Sequence, residues 1–244
     1  MARLTLTEPA RTLWRKVRDT IRTALTDPRT NDRCYELGGG SILAARWGHR
    51  ASFDIDLTTT DPKGILQETV RTQQGLAGSL CGELTPRSNP RHVTIVMGEG
   101  QRVDITVTRP FLDGQQQNVE LDGRTETVLT TVQILHGKLN RAQESPARDV
   151  HDFITAAERD PRSLEAAVRP LTEREVTGIR TLWGVQNVRL ENEAKERILD
   201  TKGTPVRGTE RLGIRGGDVL AAAWGHSQQL GTGARQPARR DGTT

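Results

Sequence analysis

At 244 residues, the chain is long enough for one large domain or two small ones, with a substantial hydrophobic core. The hydrophobic fraction of 34% and the aromatic fraction of 3% are low, so the core must consist mainly of Leu, Ile, Val and Ala. No apolar run approaches the ~20 residues of a membrane-spanning helix, and the basic start of the sequence lacks the apolar stretch of a secretory signal. With Cys34 and Cys81 expected as reduced thiols, these features predict a cytoplasmic protein without a membrane partner.

The formal net charge of +4 is confined to the end of the chain. Residues 202–244 contain seven of the 35 Lys and Arg residues and three of the 31 Asp and Glu residues, which leaves 28 of each sign before residue 202. A basic segment is typical of proteins that bind a polyanion, and it is equally typical of a tail that keeps a protein soluble. Composition alone leaves both interpretations open.

Hydrophobic periodicity predicts the elements in chain order. A helix is expected over residues 8–26, a short strand at 34–37 and a helix at 42–47. The alternating residues 52–58 predict a strand with Phe53, Ile55 and Leu57 on one face. A helix is expected over 63–80, and strands at 92–97 and 102–108 form a hairpin. From about residue 125 the pattern is helical, with later helices at 162–168, 172–199 and 219–230 and an irregular stretch at 200–217.

These elements predict an α+β fold in two parts. Residues 1–124 are expected to form an α/β domain with a small mixed, mainly antiparallel sheet. Residues 125–230 are expected to form a helical domain, and residues 231–244 a disordered basic tail.

Three carboxylates are the first candidates for chemistry. Asp54 and Asp56 are two residues apart on a predicted strand, so both project from one face about 7 Å apart. Asp104 lies on the polar face of a separate strand and can complete the cluster. Such carboxylates are natural ligands for Mg²⁺, and two ions can clamp the attacking and leaving oxygens of a phosphoryl transfer. Without other evidence, the Asp54–Asp56 pair is more often the solvent face of an edge strand.

A glycine run before a helix strengthens the metal interpretation. Gly38, Gly39 and Gly40 allow the backbone to approach a ligand closely. Ser41 is expected to cap the helix that follows, and helix starts favour anions such as a triphosphate. A tight strand–helix turn without a ligand is the alternative. The glycines and the three aspartates together form a more specific signal than either does alone.

The residues from Gly38 to Asp56 resemble the first motif of polymerase-β-type nucleotidyltransferases. The pattern Gly-Gly-Gly-Ser at 38–41 and Gly-His-Arg-x-Ser-x-Asp-Ile-Asp at 48–56 is similar to that of the abortive-infection AbiEii toxins and the related MenT toxins. The resemblance continues in a lysine-bearing segment at 134–139 and an Arg-Asp-x-x-Asp-like element at 148–153. These motifs cover residues 36–155, and the interval from Ser41 to Asp54 is slightly longer than usual, which implies a loop adjustment.

The resemblance implies a Mg²⁺-dependent nucleotidyltransferase that takes an NTP, with two ions expected and Mn²⁺ as an alternative. It implies that the acceptor is RNA, the 3′ end of tRNA, and that the protein is a toxin paired with a cognate antitoxin. Asp54, Asp56 and Asp104 are the expected metal ligands and, with Lys138, the expected catalytic residues. The expected nucleotide-binding residues are Gly39, Gly40, Ser41, Arg50, Ser52, Lys138, Asp149 and Asp152.

Other interpretations remain open from sequence. Lys138 either faces an anion or extends over apolar surface, and Asp149 and Asp152 either serve the nucleotide or form an ordinary salt-bridged helix face. The pair His151–Asp152 imitates a phosphohydrolase metal site, but the further His and Asp residues of such a site are not evident among five scattered histidines. The same fold could also modify a small molecule such as an aminoglycoside, or bind nucleic acid or a partner without catalysis. A metal-dependent nuclease is a further alternative, although it would not require the glycine turn.

Overall fold

The computed structural model describes residues 1–27, 29–60, 70–85, 91–107 and 116–233. These residues divide into two compact units. The first contains Met1–Ile134 and Lys195–Arg207, and the second contains Leu135–Ala194 together with the residues from Gly208 onward. The domain limits expected from sequence, at residues 124 and 230, stay a prediction. Across the described ranges, no helix is long and apolar enough to cross a membrane.

The first unit is built on a mixed sheet. Within the described residues its strands are β1 (Ala2–Leu4), β2 (Tyr35–Leu37), β3 (Ile55–Thr59), β4 (Glu83–Leu84), β5 (His92–Val96), β6 (Arg102–Val107), β7 (Gln116–Leu121) and β8 (Arg124–Leu129). Their order is β1-β7-β8-β2-β3-β6-β5-β4. The pairs β1–β7, β8–β2 and β3–β6 are parallel, and the other neighbours are antiparallel. The predicted α+β class is confirmed, with a larger sheet than expected.

Alternation gives the central strands one apolar face and one polar face. The buried face carries Tyr35, Leu37, Ile55, Leu57, Val93, Ile95, Val103 and Ile105, each no more than 2% exposed. The opposite face carries Glu36, Asp56, Thr58, Thr94 and Asp104, which are all partly exposed. Because successive strand residues point to opposite faces, the core and the polar surface follow from the same pattern.

Among the described residues, the α-helices that lie wholly in the first unit are α1 (Ala10–Ala24), α2 (Gly39–Trp47) and α3 (Val70–Ser79). Leu13, Trp14, Val17 and Ile21 form the buried stripe of α1, and the Trp14 ring meets Tyr35 edge to face at 6.4 Å between centroids. A short helix α4 (Thr131–Leu139) follows β8.

The second unit is helical. It contains α5 (Ala147–Arg159), α6 (Pro161–Val168), α7 (Glu173–Val185), most of α8 (Asn187–Arg197) and α9 (Leu212–Gly233). The α7 helix begins with a reciprocal cap, in which Thr172 and Glu175 each bind the other's backbone N–H. Phe153 of α5 and Trp183 of α7 are fully buried and pack with ring centroids 5.6 Å apart.

Several predicted elements require correction. Residues 124–129 form strand β8 and not the start of a helix, and the helix expected over 172–199 is two helices that meet at Gln186. The last helix begins at Leu212, within the stretch expected to be irregular. Phe53 precedes β3 and is 38% exposed, so it does not share the buried face of Ile55 and Leu57. The predictions for residues 63–69, Thr108 and 234–244 lie outside the described residues.

Candidate active site

Asp56 and Asp104 lie side by side on the polar face of the sheet. They are paired in register across the parallel strands β3 and β6, whose backbones are spaced about 4.8 Å apart. Two carboxylates placed this way repel one another and favour a shared cation. The structure therefore brings together two residues that are 48 positions apart in the sequence and that were predicted to act together.

Asp104 is oriented by its neighbours on strand β5. The Thr94 hydroxyl donates to Asp104 Oδ1 at 2.5 Å, and His92 Nε2 lies 3.7 Å from the same oxygen. Thr94 is the in-register partner of Asp104 across the antiparallel pair, so the hydroxyl and the carboxylate leave the same face of the sheet. This contact fixes one carboxylate oxygen and leaves the other for a ligand.

Asp56 is fitted against the glycine turn. A Cβ atom on Gly39 would lie 1.9 Å from Asp56 Oδ2, and Gly39 has a left-handed φ of +62°. The Gly38 N–H also donates to the Asp56 backbone carbonyl at 3.0 Å. Position 39 therefore requires glycine twice, for its backbone conformation and for the space that the carboxylate occupies.

Asp54 has a cationic partner. It precedes β3, is 5% exposed, and accepts from Arg102 Nη2 at 2.7 Å and from Arg102 Nε at 3.4 Å. Among the residues described, no group of three His, Cys, Asp or Glu side chains is placed to hold a metal ion. Asp56 and Asp104 supply the oxygen donors that Mg²⁺ prefers, and Asp54 could join them by leaving Arg102. The three-ligand metal site stays a prediction.

The start of helix α2 differs in detail from the prediction. Gly38, and not Ser41, is the N-cap residue. Ser41 is fully buried in the first turn, and its hydroxyl donates to the Gly38 carbonyl at 3.2 Å. Because the first N–H groups of a helix have no partner within the helix, this end can still attract an anion through its backbone.

Arg50 and Ser52 lie in the segment between α2 and β3. Arg50 is 4% exposed, its Nη1 donates to the Ala51 carbonyl at 3.1 Å, and a Cβ atom on Gly40 would lie 2.3 Å from its Nη2. A buried guanidinium thus lies against the first turn of α2. The backbone of Ser52 is tied to the start of α1, since its carbonyl accepts from the Ala10 N–H at 2.9 Å.

Lys138, Asp149 and Asp152 form a buried cluster in the second unit. The Lys138 ammonium contacts Asp149 Oδ1 and lies 3.1 Å from Asp152 Oδ2, and all three side chains are at most 3% exposed. Arg141 Nη2 lies 3.1 Å from the other Asp149 oxygen. Lys138 therefore does not extend over apolar surface. Both aspartates contact its ammonium group.

Two residues of this region were missed from sequence. Arg102 lies two residues before Asp104, and its ion pair with Asp54 depends on strand register, which the sequence does not reveal. Glu36 pairs with Thr58 across β2 and β3, which places it on the same face as Asp56. Burial raises the pKa of the Glu36 carboxyl to about 7, and its Oε2 is buried without a hydrogen-bond partner in the described residues. The sequence could have indicated Glu36, because it is an acidic residue in a short strand that leads into the glycine turn.

Comparison with solved structures supports the fold. A protein of H. pylori assigned to the nucleotidyltransferases is similar over 92% of this chain and 99% of its own, with a TM-score of 0.56 and 14% sequence identity. An antigenic nucleotidyltransferase-like protein of Paracoccidioides brasiliensis aligns with a TM-score of 0.35, 13% identity and coverage of 81% of this chain and 98% of its own. The CD-NTase CdnG of Bradyrhizobium diazoefficiens, solved with GTP, aligns with a TM-score of 0.32, 12% identity and coverage of 90% and 85%. These last two similarities are too low to carry an argument.

The sequence comparison identifies the family. No curated protein matches the chain significantly. The profile of the family described as "Nucleotidyl transferase AbiEii toxin, Type IV TA system" matches residues 23–202, which is well over half of the chain. That range contains the glycine turn, the three aspartates and the Lys138 cluster. The chain therefore belongs to the AbiEii family of nucleotidyltransferase toxins from type IV toxin–antitoxin systems.

Proposed function

We propose that the protein transfers a nucleoside monophosphate from an NTP to an RNA acceptor, the 3′ end of a tRNA, in a Mg²⁺-dependent reaction. In this proposal it acts as the toxin of a toxin–antitoxin pair, in the cytoplasm and with a cognate antitoxin protein as partner. The observation that carries the chemistry is the in-register pair Asp56 and Asp104, with Gly39 packed against Asp56. The family assignment supports the biological role.

Asp56 and Asp104 would hold the metal, and Asp54 would join them. Bound Mg²⁺, or Mn²⁺ in its place, would stabilise the charge that develops on the attacking and leaving oxygens. Asp54 now accepts two hydrogen bonds from Arg102, so metal binding and the Arg102 ion pair compete for the same carboxylate. Release of Arg102 would then free a guanidinium close to the phosphates.

The triphosphate would bind at the start of α2. The backbone N–H groups of Gly39, Gly40 and Ser41 are the first of the helix, and the Arg50 guanidinium adds positive charge beside Gly40. The Ser41 hydroxyl donates to Gly38, so its contribution to phosphate binding would come mainly through its backbone. Ser52 would support this site through its position in the adjoining segment.

In the transfer step, the acceptor hydroxyl oxygen would form a bond to the α-phosphorus while the bond to pyrophosphate breaks. The Asp104 carboxylate would take the hydroxyl proton, and the Thr94 hydrogen bond would keep that carboxylate oriented. The leaving group is pyrophosphate, which consists of the two outer phosphoryl groups of the NTP. No histidine is needed for this proton transfer.

For Lys138, we propose contact with the nucleotide phosphates. This role requires the ammonium to exchange one aspartate oxygen for a phosphate oxygen, and the remaining aspartate would keep it in place. Asp149 and Asp152 would therefore act on the nucleotide through Lys138.

The acceptor is tested by incubating the purified protein with each α-labelled NTP and Mg²⁺, together with total tRNA or an aminoglycoside. We expect label in tRNA with at least one NTP. Label in the aminoglycoside alone would replace the RNA acceptor by a small molecule. Absence of label from every acceptor, with NTP binding retained, would favour a non-catalytic binding protein.

A further inference from the structure

Two rows of side chains lie next to one another on the polar face of the sheet, and each row has one residue from each of β3, β6 and β5. The first row is Asp56, Asp104 and Thr94, and the second row is Thr58, Thr106 and His92. Residues two apart on a strand share a face, so both rows leave the sheet on the side of the proposed metal site. The proposed mechanism uses no residue of the second row.

His92 connects the second row to the first. Its Nδ1 lies 3.1 Å from the Thr106 hydroxyl, and its Nε2 lies 3.2 Å from the Thr94 hydroxyl. The distance from Nε2 to Asp104 Oδ1 is 3.7 Å, which is too long for a hydrogen bond. His92 therefore reaches Asp104 through Thr94 and not directly.

The donors and acceptors of these contacts can be assigned. A carboxylate only accepts, so the single proton of the Thr94 hydroxyl goes to Asp104 Oδ1, at 2.5 Å. The Thr94 oxygen then accepts from His92, which requires a proton on Nε2. In a neutral imidazole the other nitrogen carries no proton, so Nδ1 accepts from the Thr106 hydroxyl. The hydrogen bonds thus run in one direction, from Thr106 through His92 and Thr94 to Asp104.

This chain of hydrogen bonds restricts the Asp104 carboxylate. A threonine hydroxyl can rotate, but a donor fixed on its oxygen directs its own proton to another side. Successive hydrogen bonds also polarise one another, which strengthens the last of them. Asp104 Oδ1 is held in this way, and Oδ2 keeps one orientation for a ligand.

We propose that His92 is a positioning residue of the active site, which orients Asp104 for the metal ion through the Thr94 hydroxyl. The proposal rests on the metal site proposed above, in which Asp104 is a ligand. Groups that hydrogen-bond to a metal ligand fix its orientation, and their loss costs roughly 10–100-fold in metal affinity or activity. His92 is one step further from the metal than Thr94, so the lower end of this range applies to it.

The test measures Mn²⁺ binding to the full-length protein by electron paramagnetic resonance, without NTP or acceptor. His92→Leu removes both ring nitrogens, His92→Gln retains an N–H near the position of Nε2, and His92→Asn retains one near the position of Nδ1. His226→Leu is the matched control, because His226 also lies beside a carboxylate, with Nδ1 3.4 Å from Glu165 Oε1, but belongs to the second unit. Melting temperatures are compared for all variants.

We expect His92→Leu and His92→Asn to bind Mn²⁺ about 10-fold more weakly than wild type, and His92→Gln to bind nearly as tightly as wild type. His226→Leu should bind as wild type does. Thr94→Val should weaken Mn²⁺ binding at least as much as His92→Leu. Because His92 acts through Thr94, the double variant should bind no more weakly than Thr94→Val alone.

Wild-type affinity in His92→Leu would overturn the proposal, and so would equal losses in His92→Leu and His92→Gln or additive losses in the double variant. Asp104→Asn distinguishes these results from a failure of the metal site. If Asp104→Asn binds Mn²⁺ as tightly as wild type, Asp104 is not a metal ligand and both proposals fail. If Asp104→Asn binds more weakly while His92→Leu does not, the metal site stands and the role of His92 is refuted.

Discussion

Glu36 offers a test of the geometry of the polar face that does not depend on activity. Glu36 lies two residues before the glycine turn and pairs with Thr58 across β2 and β3, and burial raises the pKa of its carboxyl from 4.5 to about 7. Glu36→Gln keeps the shape of the side chain and removes the titration. The difference in stability between the variant and wild type should therefore change with pH only where Glu36 ionises differently in the folded and the unfolded protein.

Proton linkage gives the direction in which the stability difference changes with pH. Below pH 4.5 the carboxyl is protonated in both the folded and the unfolded protein, so the stabilities of variant and wild type should be similar. Between pH 4.5 and about 7 the unfolded wild type ionises first, and its free energy of unfolding falls with rising pH. At about 1.36 kcal/mol per pKa unit, the largest possible loss of unfolding free energy over this range is about 3.4 kcal/mol. Because water reaches part of this side chain, we expect about 1–2 kcal/mol.

The measurement is urea unfolding of both proteins at pH values from 4 to 8.5, followed by tryptophan fluorescence. All other titrating groups are shared, so they cancel in the difference between variant and wild type. The Gln variant should gain stability relative to wild type across pH 4.5–7 and keep a constant advantage above it. A difference independent of pH would show that the Glu36 carboxyl is solvated and would refute the burial of its Oε2.

Three further predictions address other parts of the structure. Gly39→Ala should abolish most transfer, because the added Cβ atom would displace Asp56. Gly48→Ala is the control, since Gly48 has the same φ of +62° but no atom within 4 Å of an added Cβ, and it should cost about 1 kcal/mol of stability and retain transfer. Equal transfer activities of the two variants would argue against the contact between Gly39 and Asp56. Lys138→Met should lower the free energy of unfolding by about 3–5 kcal/mol, because two buried carboxylates lose the ammonium that lies between them. Calorimetry that shows an unchanged melting temperature, with exposed Lys195→Met as control, would contradict the buried cluster. Removal of residues 232–244 deletes Arg235, Arg239, Arg240 and Asp241. It should lower the slope of log RNA affinity against log salt concentration by up to about 3 and leave the affinity for NTP unchanged. An identical slope in full-length and truncated protein would mean that the tail serves solubility.

Sequence predicted the central strands because their two faces differ in polarity. Alternation predicted strands at 52–58, 92–97 and 102–108, and the structure has strands at 55–59, 92–96 and 102–107. Strand β8 was missed for a physical reason. Val128 in the strand and Val132, Leu135 and Leu139 in the helix that follows are three or four residues apart, so a strand–helix junction imitates one helix.

Glycines hid the start of the last helix. Gly213 and Gly216 suggested a loop, but a Cβ atom on Gly213 would lie 2.1 Å from the Trp183 carbonyl oxygen, and one on Gly216 would lie 2.3 Å from Val150 Cγ1. These positions lack a side chain because α9 packs closely against α5 and α7. Sequence propensity describes an isolated helix, whereas here the tertiary contact decides.

The candidate site was predictable in its residue types and not in its contacts. The aspartates and the glycine turn were evident from spacing. The in-register pairing of Asp56 with Asp104 and the ion pair between Arg102 and Asp54 both depend on strand order and register. Those properties arise from the whole sheet, so a local pattern cannot supply them.

The central claim is that Asp56 acts directly in nucleotidyl transfer. The most direct test is the rate of label transfer from α-labelled NTP to tRNA by Asp56→Asn, compared with wild type at equal protein concentration and with melting temperatures measured for both. We expect an unchanged fold and a rate at least ~100-fold lower, since loss of a metal ligand removes several kcal/mol of transition-state stabilisation. Transfer at the wild-type rate by Asp56→Asn, or by the wild type in excess EDTA, would contradict it.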